Sequence, residues 1–150
     1  VPAKPNAYRH LKAAYRSGLE SVVAAFIATC GVEAGYEAVK IPFEQPAKSR
    51  TYMPDFALPN GIIIETKGLF TNEDRQKHLW VKAQHPDLDI RLVFSNAGAR
   101  LTKGSPTTYK AWCEKHGFKW AHKYPPKEWL MEAPDDNRIA AVERLRRPNR

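Results

Sequence analysis

No apolar run in this chain approaches the roughly 18 residues that a membrane-spanning helix needs. The opening residues, Val1-Pro2-Ala3-Lys4-Pro5, hold no hydrophobic signal core, so a cytoplasmic setting is expected. Cysteine is nearly missing. Cys30 and Cys113 stand far apart, outside any paired motif, and read as reduced thiols rather than a disulfide. Cys113, His116 and His122 lie close in sequence, but with no further cysteine beside them a zinc site is not expected. Glycine-rich phosphate loops of the Walker or dinucleotide type are absent, which argues against a nucleotide cofactor. Internal repeats and low-complexity stretches are absent too. Acidic residues are in deficit, 16 Asp and Glu against 24 Lys and Arg, and the net charge of +8 favours a polyanionic partner. No basic amphipathic helix with a clean apolar face is present, so nucleic acid is preferred over an anionic membrane.

What the chain does contain is the composition of one soluble globular domain, with 43% hydrophobic and 27% charged residues over 150 positions. Residues 1–7, with Pro2 and Pro5, are expected to be a mobile basic arm. A helix is predicted from about Tyr8 to Cys30, stopped by Gly31, with Leu11, Tyr15, Leu19, Val22, Phe26 and Cys30 as its buried stripe and Gly18 as an interior interruption. Arg9, Lys12, Arg16 and Glu20 make a second stripe, either a solvated face or phosphate-binding cations leading to a carboxylate. A strand is expected over about 33–43. The stretch that Pro42 and Pro46 bracket, ending Gln45-Pro46-Ala47-Lys48-Ser49-Arg50, can be neither a central strand nor a helix interior, and reads as a surface loop or an extended bridge between two compact parts.

Further on, Thr71-x-x-Asp74 has the pattern of a capping box and opens a helix to about Gln84, ended by Pro86. Arg75, Lys77, His78 and Lys82 on that helix either reach phosphate or form a solvated face. A strand over 89–96 follows, then a link over 97–104 whose Arg100 and Lys103 suit a mobile phosphate-contact loop. Ser105-Pro106 is expected to start a helix that ends at Gly117, with Tyr109, Trp112 and Cys113 in the core. A short strand near 118–122, a short helix at 126–132 and a flexible basic tail over 138–150 complete the chain. Together these predict an α/β fold, a small mixed β-sheet flanked by helices.

The chemistry concentrates at residues 52–68. Tyr52-Met53-Pro54-Asp55-Phe56-Ala57-Leu58 and Ile62-Ile63-Ile64-Glu65-Thr66-Lys67-Gly68 flank Pro59-Asn60-Gly61, a strong hairpin signal. Alternation puts Glu65 and Lys67 on one face and Ile62 and Ile64 on the other. A two-residue loop would pair Asp55 with Thr66 and separate the acids. A three-residue loop with Gly61 at positive φ pairs Leu58 with Ile62 and Asp55 with Glu65, and this register is the one expected. Two adjacent carboxylates repel and call for a hard divalent cation such as Mg²⁺. Such an ion polarises a phosphoryl oxygen and acidifies bound water, while Lys67 can orient that water or meet charge developing on phosphate.

The pattern Pro-Asp … Glu-x-Lys resembles the PD-(D/E)xK nuclease superfamily. More specifically, Arg16-Ser17-Gly18-Leu19-Glu20, Thr51-Tyr52-Met53-Pro54-Asp55-Phe56, Leu58-Pro59-Asn60-Gly61, Glu65-Thr66-Lys67-Gly68, Lys77-His78-Leu79, His85-Pro86, Leu88-Asp89-Ile90-Arg91, Lys103-Gly104-Ser105-Pro106-Thr107 and Cys113-Glu114-Lys115-His116-Gly117 resemble the phage endonuclease I family over about residues 15–132. These are Holliday-junction resolvases. The resemblance implies a single nuclease domain that cuts four-way and other branched DNA by phosphodiester hydrolysis, acting in the host cytoplasm if phage-encoded. It implies Glu20, Asp55, Glu65 and Lys67 as the catalytic set. Asp55 and Glu65 with the Thr66 carbonyl would hold one Mg²⁺ and Glu20 with Asp55 a second, Mn²⁺ being able to substitute. DNA contacts are assigned to Arg9, Lys12, Arg16, Arg75, Lys77 and Lys103. It implies an intertwined, segment-swapped homodimer in which residues 45–49 bridge two lobes and Glu20 of one chain meets the hairpin of the other. The competing readings are a junction-binding architectural protein without catalysis and a sequence-specific nuclease of the same superfamily.

Overall fold

The computed structural model describes residues 17–45 and 48–147. Along the chain these form α1 (Gly18–Thr29), β1 (Gly35–Tyr36), β2 (Ile41–Gln45), β3 (Lys48–Tyr52), β4 (Phe56–Ala57), β5 (Ile62–Lys67), α2 (Asn72–Gln84), β6 (Asp89–Phe94), α3 (Tyr109–His116), β7 (Trp120–His122), α4 (Lys127–Met131) and α5 (Asp136–Arg144). Five strands make one mixed sheet in the order β1-β4-β5-β6-β7, and β2 and β3 pair separately. The β1–β4 and β4–β5 pairs are antiparallel, whereas β5–β6 and β6–β7 are parallel.

Strand β5 lies between β4 and β6 with both faces covered, which explains its unbroken Ile62-Ile63-Ile64 run. Ile62 and Ile64 pack with Val23 and Ile27 of α1 and with Phe56 and Leu58. Ile63 packs on the opposite side with Ile41, Phe43, Tyr52 and Val81. A third cluster gathers Phe70, Phe94, Tyr109, Trp112 and Cys113 beneath α3. The helix from Thr71, the buried Leu92-Val93-Phe94 run and the core places of Tyr109, Trp112 and Cys113 agree with the sequence pattern.

Helix α1 differs from expectation. Ser17 has extended backbone angles (φ −136°, ψ 159°) and its hydroxyl accepts the Glu20 N–H at 3.1 Å. Gly18 is therefore the first helical residue and not an interior break, because a capping serine defines a start there. The buried positions are Val23, Ala24 and Ile27, while Val22 is 44% exposed. Apolar residues fill the segment almost all the way round, so two stripes fit its period and contact with the sheet selects one. The predicted arm, Leu11, Tyr15, Arg9, Lys12 and Arg16 lie outside the described residues.

The single strand expected over 33–43 is divided. Glu37 has φ +47° and turns the chain between β1 and β2, its N–H reaching the Asp55 carbonyl at 3.0 Å. Strands β2 and β3 then pair from Ile41↔Tyr52 to Gln45↔Lys48. Within one chain, Gln45, Lys48 and Ser49 are thus residues of a hairpin and not of an extended link; Pro46 and Ala47 lie outside the described residues.

The C-terminal region is also more ordered than its charge suggested. Residues 136–144 form α5, which buries Ala141 and Val142. Beyond it, Lys40 N–H bonds to Leu145 O and Arg147 N–H to Ala38 O. Arg138, expected in a free tail, donates to Asn60 O at 3.0 Å and pairs with Asp89 and Glu132. Residues 148–150 lie outside the described residues. Arg91, nearly fully buried, completes this network with Asp89 and Glu132, and both arginines hold the Glu132 carboxyl down at about 2. Helix α3 starts after Thr108, whose hydroxyl accepts the Ala111 N–H; Ser105 instead accepts from Thr107 N–H in the preceding turn. The 97–104 link is tied by Leu101 N–H to Thr107 O and by Tyr109 N–H to Ala99 O.

Candidate active site

The hairpin register follows from its turn. Phe56 pairs with Ile64 and Ala57 with Ile63, and Leu58 N–H meets Ile62 O at 2.8 Å. Pro59, Asn60 and Gly61 are therefore a three-residue loop, closed by Gly61 N–H on Leu58 O, with Gly61 at φ +91°. One step further, Asp55 lies across from Glu65, and its N–H is 3.3 Å from Glu65 Oε2. Had the loop been one residue shorter, the two acids would point to opposite faces.

Both carboxylates are nearly buried, Asp55 at 7% and Glu65 at 5% exposure. Asp55 Oδ2 accepts from Thr66 N–H at 2.9 Å and from the Thr66 hydroxyl at 2.7 Å. Burial raises the Asp55 pKa, the Thr66 bonds oppose that rise, and the charge of Glu20 adds to it. Glu65 Oε2 accepts from the Tyr52 hydroxyl. Burial and then the neighbouring Asp55 charge push the Glu65 pKa up to about 7, against the pull of Lys67 and Tyr52. Lys67 Nζ sits 3.5 Å from Glu65 Oε1 and 3.1 Å from Asp74 Oδ1. Burial works against its ammonium, but these two acids outweigh it and its pKa lies above the usual lysine value.

Glu20 reaches the site from the first turn of α1. The Tyr36 hydroxyl donates to its Oε2 at 2.5 Å, and β1 brings Tyr36 beside Phe56, one residue from Asp55. Within one chain, Asp55, Glu65 and Lys67 thus meet on the hairpin, and Glu20 comes near enough for its charge to act on Asp55.

The donor set decides which metal fits. Among the described residues, no three His, Cys, Asp or Glu side chains converge as a ready ligand cluster. Two carboxylates on one hairpin leave the remaining positions to carbonyl oxygen or water. Such oxygen donors are of the kind that a hard, partly hydrated ion such as Mg²⁺ takes. Cys113 is buried in the third core cluster, and His122 Nδ1 accepts the Ala97 N–H.

The proposed DNA contacts divide. Lys103 is exposed. Lys77 lies at the site, its Nζ 3.8 Å from Asp74 Oδ1 and 4.4 Å from the Tyr52 ring centroid. Arg75 is nearly buried and its Nη1 donates to Phe70 O at 2.6 Å, so it shapes the loop after Lys67. His78 is fully buried among Tyr52, Phe70 and Phe118 and cannot reach phosphate. Burial, then Lys77 and Lys67, hold its pKa well below the usual histidine value, so it is a neutral packing ring. Lys82 donates to Gly117 O at 3.1 Å.

Sequence reasoning missed the supporting side chains. Tyr52 on Glu65 and Tyr36 on Glu20 are contacts across 13 and 16 residues, with no local signal. Asp74 was legible as a capping residue but not as a partner of Lys67.

The family model for phage endonuclease I matches residues 3–148. Endonuclease I of Escherichia phage T7 is 53% identical over 119 residues, 79% of this chain and 80% of the relative. Endodeoxyribonuclease 1 of Enterobacteria phage T3 is 51% identical over 127 residues, 82% of this chain and 84% of the relative.

Proposed function

The chain belongs to the phage endonuclease I family, and from that membership and the hairpin geometry we propose that it is a DNA endonuclease that resolves branched DNA, four-way junctions above all. The observation that carries the reading is Asp55 beside Glu65, with Lys67 3.5 Å from Glu65, all on one rigid hairpin. In this reading the three residues serve as the Asp, Glu and Lys of a PD-(D/E)xK nuclease.

In this reading Asp55 and Glu65, with the Thr66 carbonyl, would hold one Mg²⁺, and Glu20 with Asp55 would serve a second. A divalent ion held by these residues would supply Lewis-acid chemistry, polarising a phosphoryl oxygen and acidifying a bound water. Thr66 fixes the Asp55 carboxylate from two donors, and Tyr52 fixes one oxygen of Glu65 while Oε1 faces Lys67. Lys67 directs its ammonium to the attacking water and to negative charge growing on the phosphate as the P–O bond to the leaving strand lengthens. Exposed cations, Lys103 among them, and the net charge of +8 hold the backbone phosphates.

Paired cuts across a branched junction call for two such sites, supplied by a homodimer with a two-fold axis. If residues 45–49 open from their hairpin into a bridge, α1 and the hairpin exchange between chains. The contacts that join Glu20 to Asp55 within one chain then form between two.

Lys67→Ala tests the reading. Junction affinity measured by gel shift in Ca²⁺ should stay within a few-fold of the parent. Cleavage in Mg²⁺ should slow by about 10²-fold or more, as for loss of one charge-stabilising donor. A parental protein that leaves four-way junctions uncut in Mg²⁺, or a Lys67→Ala protein that cuts at the parental rate, would refute it.

A further inference from the structure

Asp74 is more than the cap of α2. One of its oxygens, Oδ2, accepts from the Thr71 N–H at 3.3 Å and from the Thr71 hydroxyl at 3.1 Å, and the Asp74 N–H returns a bond to Thr71 Oγ1. That is a complete capping box, and it occupies a single carboxylate oxygen. The other oxygen, Oδ1, points back at the sheet and meets Lys67 Nζ at 3.1 Å. A cap needs no such second contact.

We infer that Asp74 is the positioning residue of Lys67, the group that holds the catalytic ammonium in place while Glu65 is engaged elsewhere. The inference rests on the nuclease reading above. Lys67 has two acidic partners, Glu65 at 3.5 Å and Asp74 at 3.1 Å. Glu65 faces Asp55 and, in that reading, gives its charge to a divalent ion. Its hold on Lys67 then weakens, because a carboxylate neutralised by a cation attracts an ammonium less. Asp74 comes from outside the hairpin that carries the paired acids, anchored to the first turn of a 13-residue helix. It keeps its full charge throughout. Lys77, whose Nζ is 3.8 Å from the same Oδ1, crowds Lys67 with like charge, so the acid between them also prevents two ammonium groups from driving each other apart. Asp at this position has the right reach. Its short side chain is anchored at Oδ2 by the Thr71 backbone N–H, a bond that does not depend on the Thr71 side chain, so Oδ1 is delivered with little rotamer freedom.

Four proteins make the test: the parent, Asp74→Asn, Asp74→Glu and Thr71→Ala. Each is measured for single-turnover cleavage of a four-way junction in Mg²⁺, junction affinity in Ca²⁺ and thermal midpoint. Asn keeps an oxygen for the cap but presents no charge to Lys67. Its cleavage should fall by about 10²-fold, the scale of a misplaced reacting group, with junction affinity within threefold. Glu restores the carboxylate and should recover most of the loss. Thr71→Ala removes the cap acceptor, so it should lower the midpoint and cleave within threefold of the parent. Where Asn fails to fold, Asp74→Ser carries the same measurement, its hydroxyl serving the cap but too short for Lys67. Cleavage by Asn at the parental rate, an equal loss in Thr71→Ala, or Glu no better than Asn would overturn the assignment. A parent that does not cut the junction would instead refute the nuclease reading itself.

Discussion

At the scale of single residues, the site keeps a carboxylate where folding alone would not. Glu65 is buried next to Asp55, with a tyrosine hydroxyl on one oxygen and an ammonium near the other, and its pKa still rises from 4.5 to about 7. The sign of the linkage follows. A carboxyl whose folded pKa exceeds its unfolded value binds its proton more tightly when folded, so stability falls as pH rises from 4.5 through 7. Below that window the acid is protonated in both states and nothing is lost. Above it the charged form persists in the fold at a penalty on the order of 3 kcal/mol. Glu65→Gln should therefore raise the melting temperature at pH 8 in metal-free buffer and leave it nearly unchanged at pH 4. Saturating Mg²⁺ should narrow the difference by stabilising the parent alone, as a ligand of the folded state does. Equal melting temperatures at pH 8 without metal would remove the argument. The variant would be a more stable protein without activity, the usual exchange at a site built for chemistry.

At the scale of elements, legibility in the sequence tracks how local the deciding contact is. The β4–β5 hairpin was readable because Pro59-Asn60-Gly61 carries its own conformational requirement, and the turn fixes which acid faces which. Helix α2 was readable because Thr71 and Asp74 cap it and Pro86 ends it. The start of α1 was not, since Ser17 and Gly18 sit inside a helical pattern of apolar residues and only the cap geometry reveals a beginning. Nor was the fold of the C-terminal region. Its arginines look like a solvated tail until Arg138 is seen bonding Asn60, 78 residues away. That contact makes the hairpin turn a buried joint, and it sets a prediction. Gly61 has φ +91°, and a Cβ there would lie 2.8 Å from Arg138 Cγ and 2.8 Å from Ile139 N. Gly61→Ala should destabilise by more than about 1 kcal/mol, combining backbone strain with a clash against backbone. A denaturant titration checks this. An unchanged midpoint would mean that α5 does not press on the turn.

At the scale of the whole molecule, the question is which chain supplies Glu20. In one chain α1 and the hairpin are joined through β2 and β3, and the pairing of Gln45 with Lys48 brings Glu20 to its own Asp55. The same interface can form between chains if the two strands of that small hairpin swing apart. The strands that would swing apart are ten residues of two-stranded pairing, outside the five-stranded sheet. Domain exchange of this kind re-forms the other native contacts between chains and gives up the β2–β3 pairing within each chain for a new hinge. The two arrangements differ in a mixed dimer of Glu20→Ala and Asp55→Ala chains. With exchange, one site collects both lesions and the other is whole, because the intact Glu20 of the Asp55→Ala chain faces the intact Asp55 of its partner. Without exchange, each site carries one lesion. The dimer purified through two different tags should therefore nick one strand of a four-way junction if the chains exchange, at about half the parental number of cuts. Complete inactivity in a mixed dimer that still binds the junction would place Glu20 with its own hairpin, as it is arranged within a single chain.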